Sequence, residues 1–423
     1  MWETLRNAWR IQDLRKKILY TLGMLLLYRL LSYVPTPFVN LASIQEAMKQ
    51  YDLLNFINMM TGSNIQDFTI MAMGITPYIN SSIIMQLLTV AIPKLEELQK
   101  SGDEGRKKIA QYTRYVTIGL GFLQAIALSL GLAASTQRTF MGYFTIGVCL
   151  AAGTALAMWI GERITEKGIG NGVSLLIFSG IISRVGSHLA QNITYLFNPE
   201  AVSGGLYSPW TLVTTILLTL VMIVAVVFVD LGERRIPVQY AKRVVGRKMY
   251  GGQSTHIPLK VNSTGVMALI FGSAIMQFPS TILAFMPNSG ALEWWKNNVS
   301  YTSFWYQLVF ALLIFGFTFF YTTISFNPNE ISKNIQQNGG MIPGIRQGKP
   351  TADFLLRTSN RITLFAALFL AALATLPTLM SSSFNTSLPF GASSLLIAVS
   401  VAMETTRQLE SQMLMRHYKG FLK

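Results

Sequence analysis

The chain has 423 residues, 51% hydrophobic and only 13% charged. Soluble domains carry about 25% charged residues, so a water-soluble globule is excluded and an integral membrane protein is expected. Lys and Arg number 34 against 19 Asp and Glu, a net +15. In a soluble protein that surplus points to nucleic acid; in a membrane protein it reports topology. The single cysteine, Cys149, rules out an intrachain disulfide framework. His188, His256 and His417 lie far from it and from one another, so no His/Cys metal site is expected.

The first 17 residues carry Trp2, Leu5, Trp9 and Leu14 at helical spacing among Arg6, Arg10, Arg15, Lys16 and Lys17. This pattern fits an amphipathic helix on the inner leaflet, or else an ordinary positive flank of the first span. The hydrophobic run that follows lacks a small-x-small cleavage site and is read as a retained helix rather than a signal peptide.

A spanning helix needs about 20 mostly apolar residues. Ten stretches qualify: 18–34, 74–92, 115–135, 143–161, 172–190, 210–230, 263–285, 304–325, 362–382 and 388–406. They are longer than barrel strands and do not alternate. The expected fold is therefore an all-α membrane protein of ten spans, dividing as five and five at about 18–190 and 210–406. An odd number of spans per half makes the halves inverted, as in many transport folds. Residues 191–209 are the external connection.

Orientation follows from Lys and Arg. Segments 1–17, 93–114, 162–171, 231–262, 326–361 and 407–423 together hold 29, whereas the opposite side holds Lys49, Arg138 and Lys296. Both termini are thus expected in the cytoplasm.

Between the first two spans, residues 35–73 lie on the outer side. They contain Leu53, Leu54, Phe56, Ile57, Met59 and Met60, a helix of two to three turns around 52–64. It is too short to span and too apolar for water, so it is a small outer cap or a stopper in a pore mouth.

Two cytoplasmic loops have structure of their own, which marks them as docking surfaces. In 231–262, Ile236, Val238 and Tyr240 alternate on one arm and Ile257, Leu259 and Val261 on the other, with Gly246, Gly251 and Gly252 between. That is a β-hairpin pattern. In 326–361, Asn327-Pro328-Asn329-Glu330 reads as an N-cap, Pro at N1 and Glu at N3. This helix ends at Gly339-Gly340, and Thr351 is expected to cap the next one.

Enzyme motifs fail on inspection. Gly344 to Thr351 resembles a phosphate loop, but Pro343 replaces the first Gly and Pro350 the Ser or Thr after Lys349. Gly168-Ile169-Gly170-Asn171-Gly172 resembles a dinucleotide fingerprint, yet it opens a membrane helix with no strand before it. Asp230 and Glu404 lie at cytoplasmic ends, and no acid pair or Ser/His arrangement stands out. No catalytic residue, metal site or cofactor is expected.

A passage is the other class. A small-solute transporter, the competing reading, needs midplane charges and broken helices. Here the midplane candidates are aliphatic: Ile75 and Ile79, four apart on one face, with Ile177, Ile270 and Ile397. Each taken alone reads first as ordinary helix packing. Asn80, Gln124 and Asn262 lie in or beside hydrophobic runs. If they meet, they form a closable seam of roughly 1–2 kcal/mol per hydrogen bond.

Several motifs carry a family resemblance. Gly74-Ile75-Thr76-Pro77-Tyr78-Ile79 with Ile83 to Leu88, Gly105-Arg106-Lys107-Lys108 to Tyr115, Gly168 to Gly172, Arg235 to Tyr240, and Pro343 to Arg346 closely resemble the bacterial SecY family, channel subunits of the Sec translocon. The likeness runs from the first helix to the tail.

The resemblance implies a protein-conducting channel of the plasma membrane and not an enzyme. Ile75, Ile79, Ile177, Ile270 and Ile397 match the family's pore ring, and the 52–64 helix matches its plug. Helices 2 and 7 look like its lateral gate, with Asn80 facing Phe278 and with Asn80, Gln124 and Asn262 as the polar cluster. Arg243, Arg247, Lys248, Arg346 and Arg357 lie on the docking loops, Arg346 matching an arginine needed for work with the motor. Implied partners are the small subunits SecE and SecG, the motor ATPase SecA, the ribosome, signal peptides and nascent chains, and anionic lipid.

Overall fold

The computed structural model describes residues 6, 8–42, 44, 65, 67–131, 139–183, 209–240, 243–245, 248–250, 254–262, 266–284, 303–384 and 392–420. The plug residues Leu53, Leu54, Phe56, Ile57, Met59 and Met60, and also Arg247, lie outside them.

In chain order the helices are α1 (Gln12–Leu31), α2 (Thr76–Ala91), α3 (Pro93–Lys100), α4 (Asp103–Gly131), α5 (Phe140–Lys167), α6 (Gly172–Ser183) and α7 (Pro209–Leu231). Strands β1 (Glu233–Tyr240), β2 (Arg243–Val245), β3 (Lys248–Tyr250) and β4 (Ser254–Lys260) follow. Then come α8 (Met267–Ala284), α9 (Phe304–Ser325), α10 (Pro328–Gln337), β5 (Gly340–Met341), α11 (Lys349–Phe384) and α12 (Ala392–Gly420). Among the described residues, a helix overlaps each of the ten predicted apolar stretches. Four segments are long and apolar enough to cross a membrane by length and composition: Asp103–Leu130, Phe140–Lys167, Phe304–Gln337 and Lys349–Leu376.

Several helices outrun their apolar stretch. α1 starts at Gln12, so Arg15, Lys16 and Lys17 belong to the same helix as the first apolar stretch and not to a separate surface helix. Leu14, placed by its spacing on a lipid-facing stripe, is 1% exposed and packs with Ala8, Ile169 and Leu409, while Trp9 stays exposed. α12 runs through most of the expected tail, and its Leu409 helps to bury Leu14.

Two cores organise the bundle. Buried residues of α7, α8, α9, α11 and α12 meet around Leu269, Phe310, Ile314, Leu370 and Leu396. Tyr28, Ile75, Ile160, Ile164, Leu176 and Ile177 form the other, which Ile397 and Val401 of α12 complete. α12 therefore touches both cores.

The Gly168–Gly172 motif is a packed turn. Ile169 N–H donates to Thr21 Oγ1 at 3.0 Å, and Gly172 N–H to Thr165 Oγ1 at 2.9 Å. Asn171 Oδ1 accepts from Val173 N–H at 3.1 Å, capping the start of α6. A Cβ on Gly172 would stand 1.9 Å from the Gly161 carbonyl oxygen, so glycine is required by space.

The two long loops join through one sheet. β1 pairs antiparallel with β4, with Ile236 opposite Ile257 and Arg234 opposite Leu259, as the alternation predicts. β1 also pairs with β5 of the second loop, with Gln239 opposite Met341 and Tyr240 opposite Gly340. Ile236, Val238, Leu259, Ile335, Ile342 and Leu355 share a small core beneath this sheet. α10 begins as its sequence dictates, Asn327 Oδ1 accepting from Glu330 N–H at 3.4 Å, with Pro328 in the first turn. Gly339 closes it at φ +68°. Thr351 does not cap α11, which starts at Lys349; its hydroxyl donates to the Arg346 carbonyl at 2.8 Å instead.

Candidate functional site

Residues 67–75 approach α2 through a series of tight turns. Gly74 N–H donates to Met71 O at 2.8 Å, and Gly74 takes φ +52°, which glycine adopts freely. Ile75 is the N-cap of α2, Pro77 lies in the first turn, and Ile79 N–H donates to Ile75 O at 3.1 Å. Ile75 and Ile79 are thereby stacked one turn apart.

Ile177 comes from α6, Ile270 from the first turn of α8 and Ile397 from α12. All five isoleucines line one cavity, together with Tyr28, Gly74, Thr76 and Leu176. Its volume is about 20 Å³, room for one water and no more. Ile75, Ile177 and Ile397 are buried, whereas Ile79 and Ile270 are half-buried. The lining side chains come from α1, α2, α6, α8 and α12, and the five isoleucines make this spot, called the waist below, largely apolar. Sequence reasoning missed Tyr28 and Leu176 in this lining. Leu176 neighbours Ile177, and Tyr28 is the buried polar-tipped residue on a helix whose outer face is leucine.

Helices α2 and α8 meet directly beside the waist. Ile83, Phe271 and Ala274 are buried between them, with Ile79, Leu87 and Ile270 packed around. Phe271 is backed by Phe317 and Tyr321 of α9, at ring distances of 5.3 and 6.2 Å. The contact of Ile83 with Phe271 and Ala274 is apolar. Asn80 is 4% exposed on α2, and Gln124 is half-buried on α4. Phe278 lies within α8, its side chain outside the described residues.

Asn262 is engaged elsewhere. Its Nδ2 donates to Asp230 Oδ1 at 3.4 Å, and its Oδ1 is buried without a hydrogen-bond partner. Arg407 of α12 donates to the Asp230 carbonyl at 3.2 Å, its Nη2 lying 4.0 Å from Asp230 Oδ2. This cluster ties the C-terminal end of α7 to the entry of α8 and to α12. Nothing in the sequence pairs residues 32 and 177 positions apart, so the cluster was not legible there.

On the platform formed by the two joined loops Arg346 and Arg357 are exposed. Arg357 Nε donates to Asp353 O at 3.3 Å, whereas Arg346 stands on the turn between β5 and α11. Arg243 and Lys248 belong to the hairpin β2–β3, their side chains outside the described residues.

The SecY family model matches residues 69–406. The protein translocase subunit SecY of Thermotoga maritima is 41% identical over 438 residues, covering 100% of this chain and 98% of that protein. The chain belongs to the SecY family. The SecY subunit of Halalkalibacterium halodurans is likewise 41% identical, with 100% of both chains covered. Among solved structures, one described as a protein conducting channel superposes with TM-score 0.69 at 20% identity, covering 94% of this chain and 92% of that one. Canine Sec61 in a ribosome-channel complex superposes with TM-score 0.64 at 18% identity, covering the same shares. The fold is the helical SecY-type channel fold, and the chain is a multi-pass membrane protein of the protein translocation channel.

Proposed function

We propose that unfolded polypeptide crosses the bacterial plasma membrane through the isoleucine waist of this chain. Apolar segments leave to lipid through the α2–α8 seam. The observation that carries this reading is the convergence of Ile75, Ile79, Ile177, Ile270 and Ile397 on one water-sized cavity.

The chemistry fits the task. Side chains of every kind must pass, so a binding ring is a hindrance, and a charged ring would select. Aliphatic side chains close around a moving chain by contact alone. When the chain is absent, an apolar constriction one water wide resists ions because they would have to shed their hydration. The residues around 52–64 would stop the outer mouth.

The seam sorts by partitioning. Ten leucines at roughly −0.5 kcal/mol each outweigh one central arginine at about +3 kcal/mol. A segment offered an open seam therefore moves to lipid or continues across according to its own composition. Parting Ile83 from Phe271 and Ala274 is the opening motion, and Asn80 and Phe278 flank it.

Energy comes from a partner. Exposed Arg346 and Arg357 on the joined cytoplasmic loops are docking residues for the motor ATPase SecA and for the ribosome, with Arg243, Arg247 and Lys248. A solved Sec61 relative is described in complex with a ribosome, which supports that partnership. SecE and SecG are the small subunits of the assembly. Both termini are cytoplasmic, consistent with 29 basic residues on their side, where anionic lipid lies.

The test is reconstitution in vesicles with SecE, SecG, SecA, ATP and a secretory precursor. Protease-protected precursor should appear only with the motor and ATP. Absence of protected precursor, with the channel correctly inserted, would overturn the reading.

A further inference from the structure

Three consecutive residues at the Arg346 turn are each tied to a different element. The Arg346 carbonyl accepts from Thr351 Oγ1 of α11 at 2.8 Å. Gln347 Nε2 donates to the Gly340 carbonyl of β5 at 2.8 Å. The Gly348 carbonyl accepts from Ser332 Oγ of α10 at 2.7 Å. Ser332 and Thr351 are 3% and 2% exposed, so two buried hydroxyls serve the backbone of an exposed turn.

The turn is fixed from below as well. Ile342 is buried and Ile345 packs against the platform core, while Ile345 N–H donates to Ile342 O at 3.1 Å. Gly344 and Gly348, on either side of Arg346, sit at φ +81° and +88°, where other residues are strained. Surface loops ordinarily vary in conformation. This one has its backbone held at Arg346 and Gly348 and the Gln347 side chain between them tied to β5, with the Arg346 side chain free at the tip.

We propose that Ser332, Gln347 and Thr351 are positioning residues that hold Arg346 in the orientation a protein partner reads. The inference rests on the docking role assigned to Arg346 above. The partner's matching feature is a carboxylate in a shaped pocket, because the arginine fork rewards a fixed approach with two parallel hydrogen bonds. A loop that wandered would present the same charge without that geometry. Its contribution to docking would then be screened Coulomb attraction alone.

The test uses the full chain with its small subunits in vesicles, titrated with SecA. Thr351→Val removes the hydroxyl and keeps the shape. Gln347→Met and Ser332→Ala do the same at the other two ties. Each should raise the half-saturating motor concentration about five-fold, the equivalent of one intramolecular hydrogen bond. The maximal translocation rate should be unchanged, and Thr351→Ser should restore wild-type behaviour. A merely structural role would lower the maximal rate or the amount of channel instead, and that outcome would overturn the proposal. Arg346→Glu separates the two levels. If it raises the half-saturating concentration while the three tie variants do not, positioning fails and docking stands. If Arg346→Glu itself changes nothing, the docking reading fails and the proposal with it.

Discussion

Gly153 of α5 rests against the backbone of Ile70: a Cβ at Gly153 would lie 1.9 Å from the Ile70 carbonyl oxygen. The run that leads into Ile75 is therefore seated on a helix with no side chain between. Gly153→Ala should displace residues 67–75 and cost about 1–3 kcal/mol, the usual range for overpacking. Because Ile75 lies at the end of that run, the variant should also leak ions. Thermal unfolding in detergent and conductance in bilayers measure the two effects. A variant with unchanged midpoint and no leak would show that the contact is not tight.

Asp230 joins α7 to the entry of α8 and to α12 through Asn262 and Arg407. Asp230→Ala removes the acceptor for Asn262 Nδ2, whose Oδ1 is already unpartnered. Leaving that buried amide unsatisfied costs about 1–3 kcal/mol. Hydrogen exchange at residues 261–262 and 266–270 should quicken by one to two orders of magnitude, with α9 unaffected. Equal exchange in variant and wild type would remove the cluster from the account of how α8 is held.

Gly340 faces Tyr240 across the β1–β5 pairing. A Cβ there would stand 2.8 Å from Tyr240 Cε1 and 3.0 Å from Ile335 Cγ2. Gly340→Val should part the two joined loops. Limited proteolysis should then cut within 233–262 and 326–348 faster. Motor-driven export should fall several-fold while membrane insertion of the channel itself persists. Unchanged proteolysis would mean that the loops hold together without this strand.

Much of the bundle was legible because its signals are local. Ten apolar stretches, the Asn327-Pro328 helix start and the alternation of Ile236 and Val238 each lie within a few residues, and each appears as an element. The five isoleucines were visible as midplane aliphatics, but only the resemblance set them in one ring. The cavity that they share is lined by five helices from both halves of the chain. What stayed illegible is non-local. Two-residue β5 has no periodicity to read, and its partner is about 100 positions away. Thr351 looked like a cap because Thr is a common N-cap; its hydroxyl is drawn to Arg346 O by the turn, which the tie to Ser332 also shapes. Leu14 looked lipid-facing because an apolar stripe does not say whether lipid or protein covers it.

The α2–α8 seam carries a separate prediction. Cysteines at Asn80 and Phe278, in a Cys149→Ser background, should block export of full-length precursor once they are oxidised to a disulfide, and reduction should release the block. Precursor protection by protease assay follows both states. Undiminished export with the bridge formed would mean that the seam need not part.

The most direct test of the waist is capture of a chain in transit. In the Cys149→Ser background, single cysteines at Ile79, Ile177 or exposed Phe228 are offered to a stalled secretory precursor that bears one cysteine at its membrane-spanning position. Adducts are expected at Ile79 and Ile177 and not at Phe228. Adducts at neither isoleucine, with the precursor stalled and protected, would contradict a path through these residues.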